Sequence, residues 1–348
     1  MHNKSKYSYL ISKITERRLL MDSDLKKNST NPSEQTKNVK MLILGSGPAG
    51  LSAALYAARA NLEPIVLTGM ELGGQVSLTN TVENYPGFPD GIGGQELVDL
   101  FQRQAEKFGA RVEFDTATQV DLLQYPFKIH TYNDVYQADT VIIATGAQAT
   151  HLNIPGEKEF TGRGVSYCAT CDGWFFKEKD VIVVGGGDSA IEESLFLTRY
   201  VKSITIIHRR DSLRAGKILQ ERAFNHPKIN FIWNTILTEI IGENAVKKVK
   251  LQNLQTHKKS EYTTDGVFIF VGHNPNTQIF SDYLDLDEGG YLKKEILYGT
   301  KIPGVFVAGE AGDPNFRQVI TSAGMGAAAA MQAIRFIQER EENQPVIV

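Results

Sequence analysis

The sequence predicts an α/β protein built from two Rossmann-like dinucleotide-binding units that follow one another along the chain. Two stretches carry this expectation. The apolar run Val39-Lys40-Met41-Leu42-Ile43-Leu44 leads into Gly45-Ser46-Gly47-Pro48-Ala49-Gly50 and then a helical stretch from Leu51 to Arg59. A second run, Asp180-Val181-Ile182-Val183-Val184, leads into Gly185-Gly186-Gly187-Asp188-Ser189-Ala190 and a helical stretch to Tyr200. In each, glycines permit a tight turn and close approach of the backbone to a pyrophosphate, which then rests on the positive end of the helix. Gly45, Gly47, Pro48, Ala49 and Gly50 are therefore candidate cofactor contacts at the first turn. Gly185, Gly187, Asp188, Ser189 and Ala190 are candidates at the second, where Ala190 takes the place of the third glycine.

A chain of 348 residues is long enough for two ordinary domains with their own cores. It is 42% hydrophobic and 22% charged, with 31 glycines, as expected of a globular protein. No apolar run approaches the length of a membrane span, and a net charge of -3 gives no reason to expect nucleic acid or an anionic membrane as partner. Residues 1–38 are polar, rich in Lys, Ser and Asn, and contain no glycine. They are expected to form a disordered extension, with Met21 as an alternative start. Leu10 to Met21 has the pattern of a short amphipathic helix without the apolar region of a secretory signal; Arg17, Arg18 and several lysines keep an organelle transit peptide as the alternative.

The strand tips distinguish the two cofactors. Ser203-Ile204-Thr205-Ile206-Ile207 ends in His208-Arg209-Arg210, with Arg214 shortly beyond. Arginines without an acid at this place suit the 2′-phosphate of NADPH rather than the ribose of NADH. After Glu63-Pro64-Ile65-Val66-Leu67 comes Thr68-Gly69-Met70-Glu71, with no acid at the tip and Glu71 only a weak ribose candidate. That leaves the first site for a different dinucleotide, FAD. Near the C-terminus, Val305-Phe306-Val307-Ala308-Gly309-Glu310 closes an apolar strand on Gly and an acid. Arg317-Gln318 and a small-residue helix from Ala323 to Ile337 follow. Gly309 and Glu310 would hold the FAD ribityl chain and pyrophosphate, with the helix packed close by.

The chain has two cysteines, both in Cys168-Ala169-Thr170-Cys171, between the two fingerprints. This spacing suits half a zinc site, a redox disulfide or two unrelated thiols. Zinc needs about four ligands, and there is no second CxxC or spaced His pair among the seven histidines. A redox disulfide in a reducing compartment, the cytoplasm, is the better reading, with no metal expected. Asp172 follows Cys171 directly and is placed to carry the proton that dithiol reduction requires. The order of the parts implies an electron path from nicotinamide to flavin to disulfide.

These residues resemble the low-molecular-weight thioredoxin reductases from about Lys40 to Arg340. The shared motifs include Gly73-Gly74-Gln75, Val82-Glu83-Asn84-Tyr85-Pro86-Gly87, Ala144-Thr145-Gly146 and Cys168-Ala169-Thr170-Cys171-Asp172-Gly173. Also shared are His208-Arg209-Arg210-Asp211 with Arg214-Ala215, and Arg317-Gln318-Val319-Ile320-Thr321. The resemblance implies an FAD domain in two segments, 39–150 and 278–348, with an NADPH domain, 151–277, inserted between them. The crossings fall near His151-Leu152-Asn153-Ile154-Pro155 and Asn274-Pro275-Asn276, where Pro and Asn fit exposed linkers. Gly73, Gln75, Asn84, Thr145, Gly146, Arg317, Gln318 and Val319 join the FAD contacts, and His208 joins the NADPH contacts. Cys171 becomes the flavin-facing thiol, Cys168 the thiol that attacks oxidised thioredoxin, and Asp172 the acid–base group. Family members are homodimers whose NADPH domain rotates, because a dithiol pressed on a flavin cannot also be reached by a folded partner. The chain departs from the pattern in carrying Glu310 for Asp, Phe316 for Tyr, and Gly324-Met325-Gly326-Ala327-Ala328 for a run with Thr and Cys. Other acceptors, a glutaredoxin-like protein or a peroxiredoxin system, and a non-catalytic flavin redox sensor are the alternatives.

Overall fold

A computed structural model of the chain describes residues 36–79 and 81–343. The N-terminal extension before Thr36, with its expected Leu10–Met21 helix, lies outside the described residues, as do residues 344–348.

The first sheet begins with β1 (Thr36–Leu44), which leads through the glycine turn into α1 (Pro48–Arg59). β2 (Ile65–Leu67), α2 (Gly94–Lys107), β3 (Arg111–Glu113), β4 (Ala117–Asp121), β5 (Phe127–Thr131) and β6 (Val135–Ile143) follow. β3, β2, β1 and β6 run parallel, and the β4–β5 hairpin joins antiparallel beside the start of β6. The end of β6 is flanked by β17 (Val305–Val307), which returns from far along the chain to pair in parallel, Val305 with Val141. Met41, Leu42 and Ile43 are fully buried, because a parallel sheet is covered on both faces. One face packs on α1 and on α7 (Val319–Glu342), through Ala53, Ala54 and Ala57 of the former and Ala329, Ala330 and Ala333 of the latter.

Between β6 and β17 the chain builds a second unit. β7 (Ala147–Ala149) precedes a single turn, α3 (Glu157–Phe160), then β8 (Val165–Ser166) and the one-turn α4 (Ala169–Asp172). β9 (Asp180–Gly185), α5 (Asp188–Leu197), β10 (Ser203–Ile207), α6 (Lys217–Phe224) and β11 (Ile229–Ile232) come next. The meander β12 (Thr235–Gly242), β13 (Val246–Asn253) and β14 (Lys259–Thr263) leads to β15 (Gly266–Phe270) and β16 (His273–Pro275). The sheet order β11-β10-β9-β15-β8 is wholly parallel. No described helix is long and apolar enough to cross a membrane.

Four local expectations need correction. β1 begins at Thr36 rather than Val39, because residues 36–38 find partners in Val135, Tyr136 and Gln137, an address invisible in a polar stretch of sequence. α5 stops at Leu197, whose carbonyl accepts from both Tyr200 and Val201 in a closing turn. α7 starts at Val319, before the expected Ala323, because Gln318 and Thr321 form a reciprocal capping box. The second crossing is not an irregular exposed linker: β16 pairs antiparallel with β7 as a two-stranded ribbon and Pro275 is buried in it, whereas residues 151–155 have no regular structure and are partly to fully exposed, as expected.

The α1–α7 contact depends on Gly326, where an added Cβ would overlap the Ala49 backbone. Gly326→Ala should destabilise the protein by about 1–3 kcal/mol, as forced overpacking does. Urea unfolding of the two proteins side by side checks this.

Candidate active site

β8 delivers the chain to the dithiol. Cys168 is the N-cap of α4 and is disulfide-bonded to Cys171. Its sulfur accepts from the Cys171 amide at 3.1 Å and lies 3.3 Å from the Thr170 hydroxyl. Asp172 turns back toward β8, where the buried Ser166 hydroxyl donates to its carboxylate at 2.6 Å. Burial pushes the Asp172 carboxyl above its ordinary range, and the Ser166 bond opposes that. Sequence reading missed Ser166; only the register of β8 brings it to Asp172.

The redox turn is seated on the other unit. Gln318 donates from Nε2 to the Thr170 hydroxyl at 3.1 Å, and its Oε1 accepts from Asn84 at 3.1 Å. Gln318, expected at FAD, thus meets Thr170 between the cysteines, and Asn84, also expected there, holds Gln318. Arg317, just before, has φ +49°, a left-handed conformation held by the Asp313 carboxylate, which accepts from the Asn315 and Phe316 amides at 3.0 and 3.2 Å. The Arg317 guanidinium donates to Nδ1 of His273, on the ribbon, at 2.6 Å. Burial and the Arg317 charge push His273 down to about 4, so the imidazole is neutral and free to accept that bond. Burial pushes Glu310 up to about 7; Arg317 opposes the shift and Asp313 adds to it. Asp313 and His273 carry no motif, so sequence pattern does not find them.

At the first glycine turn the glycines have different reasons. A Cβ on Gly45 would overlap the Ala144 carbonyl, and one on Gly50 would overlap the Gly45 carbonyl, so the protein itself requires both. Gly309 is similarly crowded by the Ala49 side chain. Gly47 is not: its φ of −69° is ordinary, and a Cβ would meet only the Gly73 carbonyl at 3.8 Å. It faces open space before the start of α1, a helix with Pro48 in its first turn and neither a side-chain cap nor an acid there. Gly73 faces it, donating its amide to the buried Ser46 hydroxyl at 3.1 Å. Gly146 also faces open space, while Thr145 is tied to Asn276 through two hydrogen bonds of 2.7 and 2.9 Å. Gln75 is exposed on a one-turn segment after Gly73, and Val319 packs beside Leu51 and Val98. This is a cradle into which an anion of a dinucleotide fits. Glu71 is exposed, and its recorded contact is a backbone one to Ser46, so nothing marks it as a ribose ligand.

The second turn is similar. Gly187 caps α5, Asp188 accepts from the Gly216 amide at 2.7 Å, and Ala190 packs against Gly185. His208 is 5% exposed, and its ring lies where a Gly186 Cβ would be. Burial, with Arg210 and Arg214 nearby, lowers the His208 pKa, and Nε2 has no hydrogen-bond partner among the described residues. A buried polar atom left unpaired beside a phosphate turn fits a site completed by a polar ligand. Arg209 and Arg210 are exposed at the tip of β10, whereas Arg214 reaches beside Gly187 at the turn. The three arginines expected together therefore divide between strand tip and turn. None of them has an ion-pair partner among the described residues.

A disulfide turn seated between two dinucleotide cradles defines a class of flavin- and pyridine-nucleotide-linked reductases. The profile described as "Pyridine nucleotide-disulphide oxidoreductase" matches residues 39–328. A thioredoxin reductase of Rickettsia bellii is 49% identical over 305 residues, which cover 86% of this chain and 98% of that protein. The crystal structure of thioredoxin reductase from Streptococcus pyogenes matches with TM-score 0.84 at 42% identity, covering 88% of this chain and all of that one. The Lactococcus lactis thioredoxin reductase, described as in the FR conformation, has the same 42% identity but TM-score 0.59, covering 86% of this chain and 99% of its own. The chain belongs to the pyridine nucleotide-disulphide oxidoreductases and, within them, to the thioredoxin reductases.

Gly47→Ala is expected to leave folding stability within about 0.5 kcal/mol of wild type, the usual range away from packed sites, while FAD retention falls at least about tenfold. Thermal unfolding of the FAD-free proteins and flavin absorbance after gel filtration read the two effects separately. Glu310 gives a pH test. Its folded pKa of about 7 lies above the ordinary 4.5, so the folded state holds a proton that the unfolded chain has released. Stability of the FAD-free protein should fall as pH rises through that window, by on the order of 2–3 kcal/mol. Glu310→Gln should flatten the profile of urea midpoints.

Proposed function

We propose that the chain is an NADPH-dependent thioredoxin-disulfide reductase of the cytoplasm, working as a homodimer. One observation carries the reading: the Cys168–Cys171 turn is seated through Thr170 and Gln318 on the start of the helix beside the first dinucleotide cradle. The assignment gives residues 39–150 and 278–348, with the added strand residues 36–38, to an FAD domain. Residues 151–277 form the NADPH domain.

FAD, when bound, supplies the two-electron relay between a nicotinamide and the disulfide. Gly47, Pro48, Ala49, Gly73, Gln75, Asn84, Thr145, Gly146, Glu310 and Gln318 would hold it, Gly45, Gly50 and Gly309 shaping the backbone around it. Gly187, Ser189, Arg214 and His208 would hold the NADPH pyrophosphate region, and Arg209 and Arg210 the 2′-phosphate. Once the dithiol is reduced, the remaining chemistry belongs to this chain. The Cys168 thiolate attacks one sulfur of thioredoxin's disulfide and displaces the other as a thiolate. Cys171 then attacks the Cys168 sulfur, restoring the Cys168–Cys171 bond and releasing thioredoxin's dithiol. Asp172, held by Ser166, moves the accompanying proton. Docking with thioredoxin requires the redox turn to leave Gln318. The fall in TM-score from 0.84 to 0.59 at equal identity supports two units that take different relative placements.

Anaerobic mixing of the yellow protein with NADPH should bleach the flavin, and oxidised thioredoxin should restore it. Bleaching without recovery would leave thioredoxin unsupported as acceptor. Cys168→Ser should retain FAD and its reduction by NADPH and lose thioredoxin reduction altogether. Neutralising Arg209 and Arg210 should weaken NADPH by about 1.5–3 kcal/mol and leave KM for NADH nearly unchanged.

A further inference from the structure

Glu193 lies on α5, one residue after the exposed Glu192, and is half-buried against the redox turn. Its Oε2 accepts from the Ala169 amide at 3.1 Å. The turn therefore has two acceptors for its first amides: the Glu193 carboxylate takes Ala169, and the Cys168 sulfur takes Cys171. Once the disulfide is reduced, a Cys168 thiolate is on the residue directly before the amide that the Glu193 carboxylate holds from α5. Other charges face Glu193: Glu192 on its own helix and Arg317 from the start of α7, whose positive charge partly offsets it. Asp172, at the end of α4, is the other carboxyl on the redox turn.

We infer that Glu193 is a positioning residue that holds the redox turn by its first amide and, through its charge, raises the proton affinity of the Cys168 thiol. Hydrogen bonding explains the positioning: among the described residues no other side chain accepts from the Ala169 amide, and Ala169 itself is fully buried. Like charge explains the tuning, because a neighbouring carboxylate disfavours the thiolate. The half-burial of Glu193 keeps that charge poorly screened, and the same burial pushes its own carboxyl up. The consequence is kinetic. An attacking thiol works best with a pKa near ambient pH, since an over-stabilised thiolate is a weak nucleophile. Glu193 counteracts the stabilisation that the Cys171 amide and the start of α4 would give the Cys168 sulfur.

This rests on Cys168 as the attacking thiol, and the test separates the two claims. The FAD-bound protein and its Glu193→Gln variant are reduced with dithiothreitol, freed of it anaerobically, and alkylated with iodoacetamide across a pH series. The labelled residue is located by fragmenting the peptide that carries Cys168 and Cys171 and reading which of the two bears the added mass. Label on Cys168, with the thiol of the Gln variant ionising at lower pH and its limiting rate at high pH falling about two- to threefold, is the expected result. Glu193→Asp, which keeps the charge, should follow the wild-type profile far more closely than Gln does. Label on Cys168 with superimposable profiles for Gln and wild type would overturn the role of Glu193. Label on Cys171 would overturn the order of the thiols instead. If the Gln variant does not fold, the Asp172→Asn protein gives the second measurement: its Cys168 profile should keep an acidic inflection from Glu193, and a single ionisation would overturn the inference.

Discussion

The hydrogen bond between Gln318 and Thr170 joins two units that otherwise have separate sheets and cores. Gln318 is able to make it because it is an N-cap: its backbone is committed to starting α7, and its side chain bridges Asn84 on one side and Thr170 on the other. A single neutral hydrogen bond is worth only about 0.5–1.5 kcal/mol net, so this contact fixes a position without adding much stability. The ribbon of β7 and β16 is the lasting connection, and the Arg317–His273 bond ties the seat to it.

Around that seat the structure gathers five ionisable groups, Arg317, Glu310, Glu193, His273 and Asp313. Arg317 faces Glu310 and Glu193 and donates to His273, while Asp313 spends its carboxylate on backbone amides. Glu193, Glu310 and His273 are each partly removed from water, and burial favours the neutral form of all three. His273 shifts down and remains neutral; Glu310 shifts up. Electrostatics here is arranged around one cation contributed by a strained turn, at a place where flavin and disulfide chemistry both require protons and charge to be controlled.

The two cradles show why the same motif needs separate interpretation at each position. Gly45, Gly50 and Gly185 are dictated by close backbone approach, and would be required whatever was bound. Gly47 and Gly187 have room for a side chain as far as the protein is concerned, so their value lies in what approaches them from outside. The paired fingerprints and the unpaired His208 Nε2 make a consistent case for dinucleotides on both sides of the redox turn.

Much of this was legible in the chain itself. The two strand–glycine–helix passages follow from apolar runs ending in obligatory glycines, and the CxxC was assigned to redox chemistry because no other metal ligands accompany it. These are local properties, in which neighbouring residues determine one another's conformation. The start of β1 at Thr36, the ribbon at the second crossing, the buried Pro275 and the division of the arginines between tip and turn were not legible. Nor were Ser166 under Asp172, Asp313 and His273 around Arg317, or Glu193 on the Ala169 amide. Asp313 acts on amides two to four residues on, in a turn without a motif; the others depend on a partner tens of residues away or on the register of a short strand. By itself the sequence determined which cofactors and which chemistry belong to the chain, because motifs are short and carry their own geometry. The tertiary structure decided which side chains surround the disulfide and set its proton affinities, because burial and charge proximity exist only after distant segments have packed.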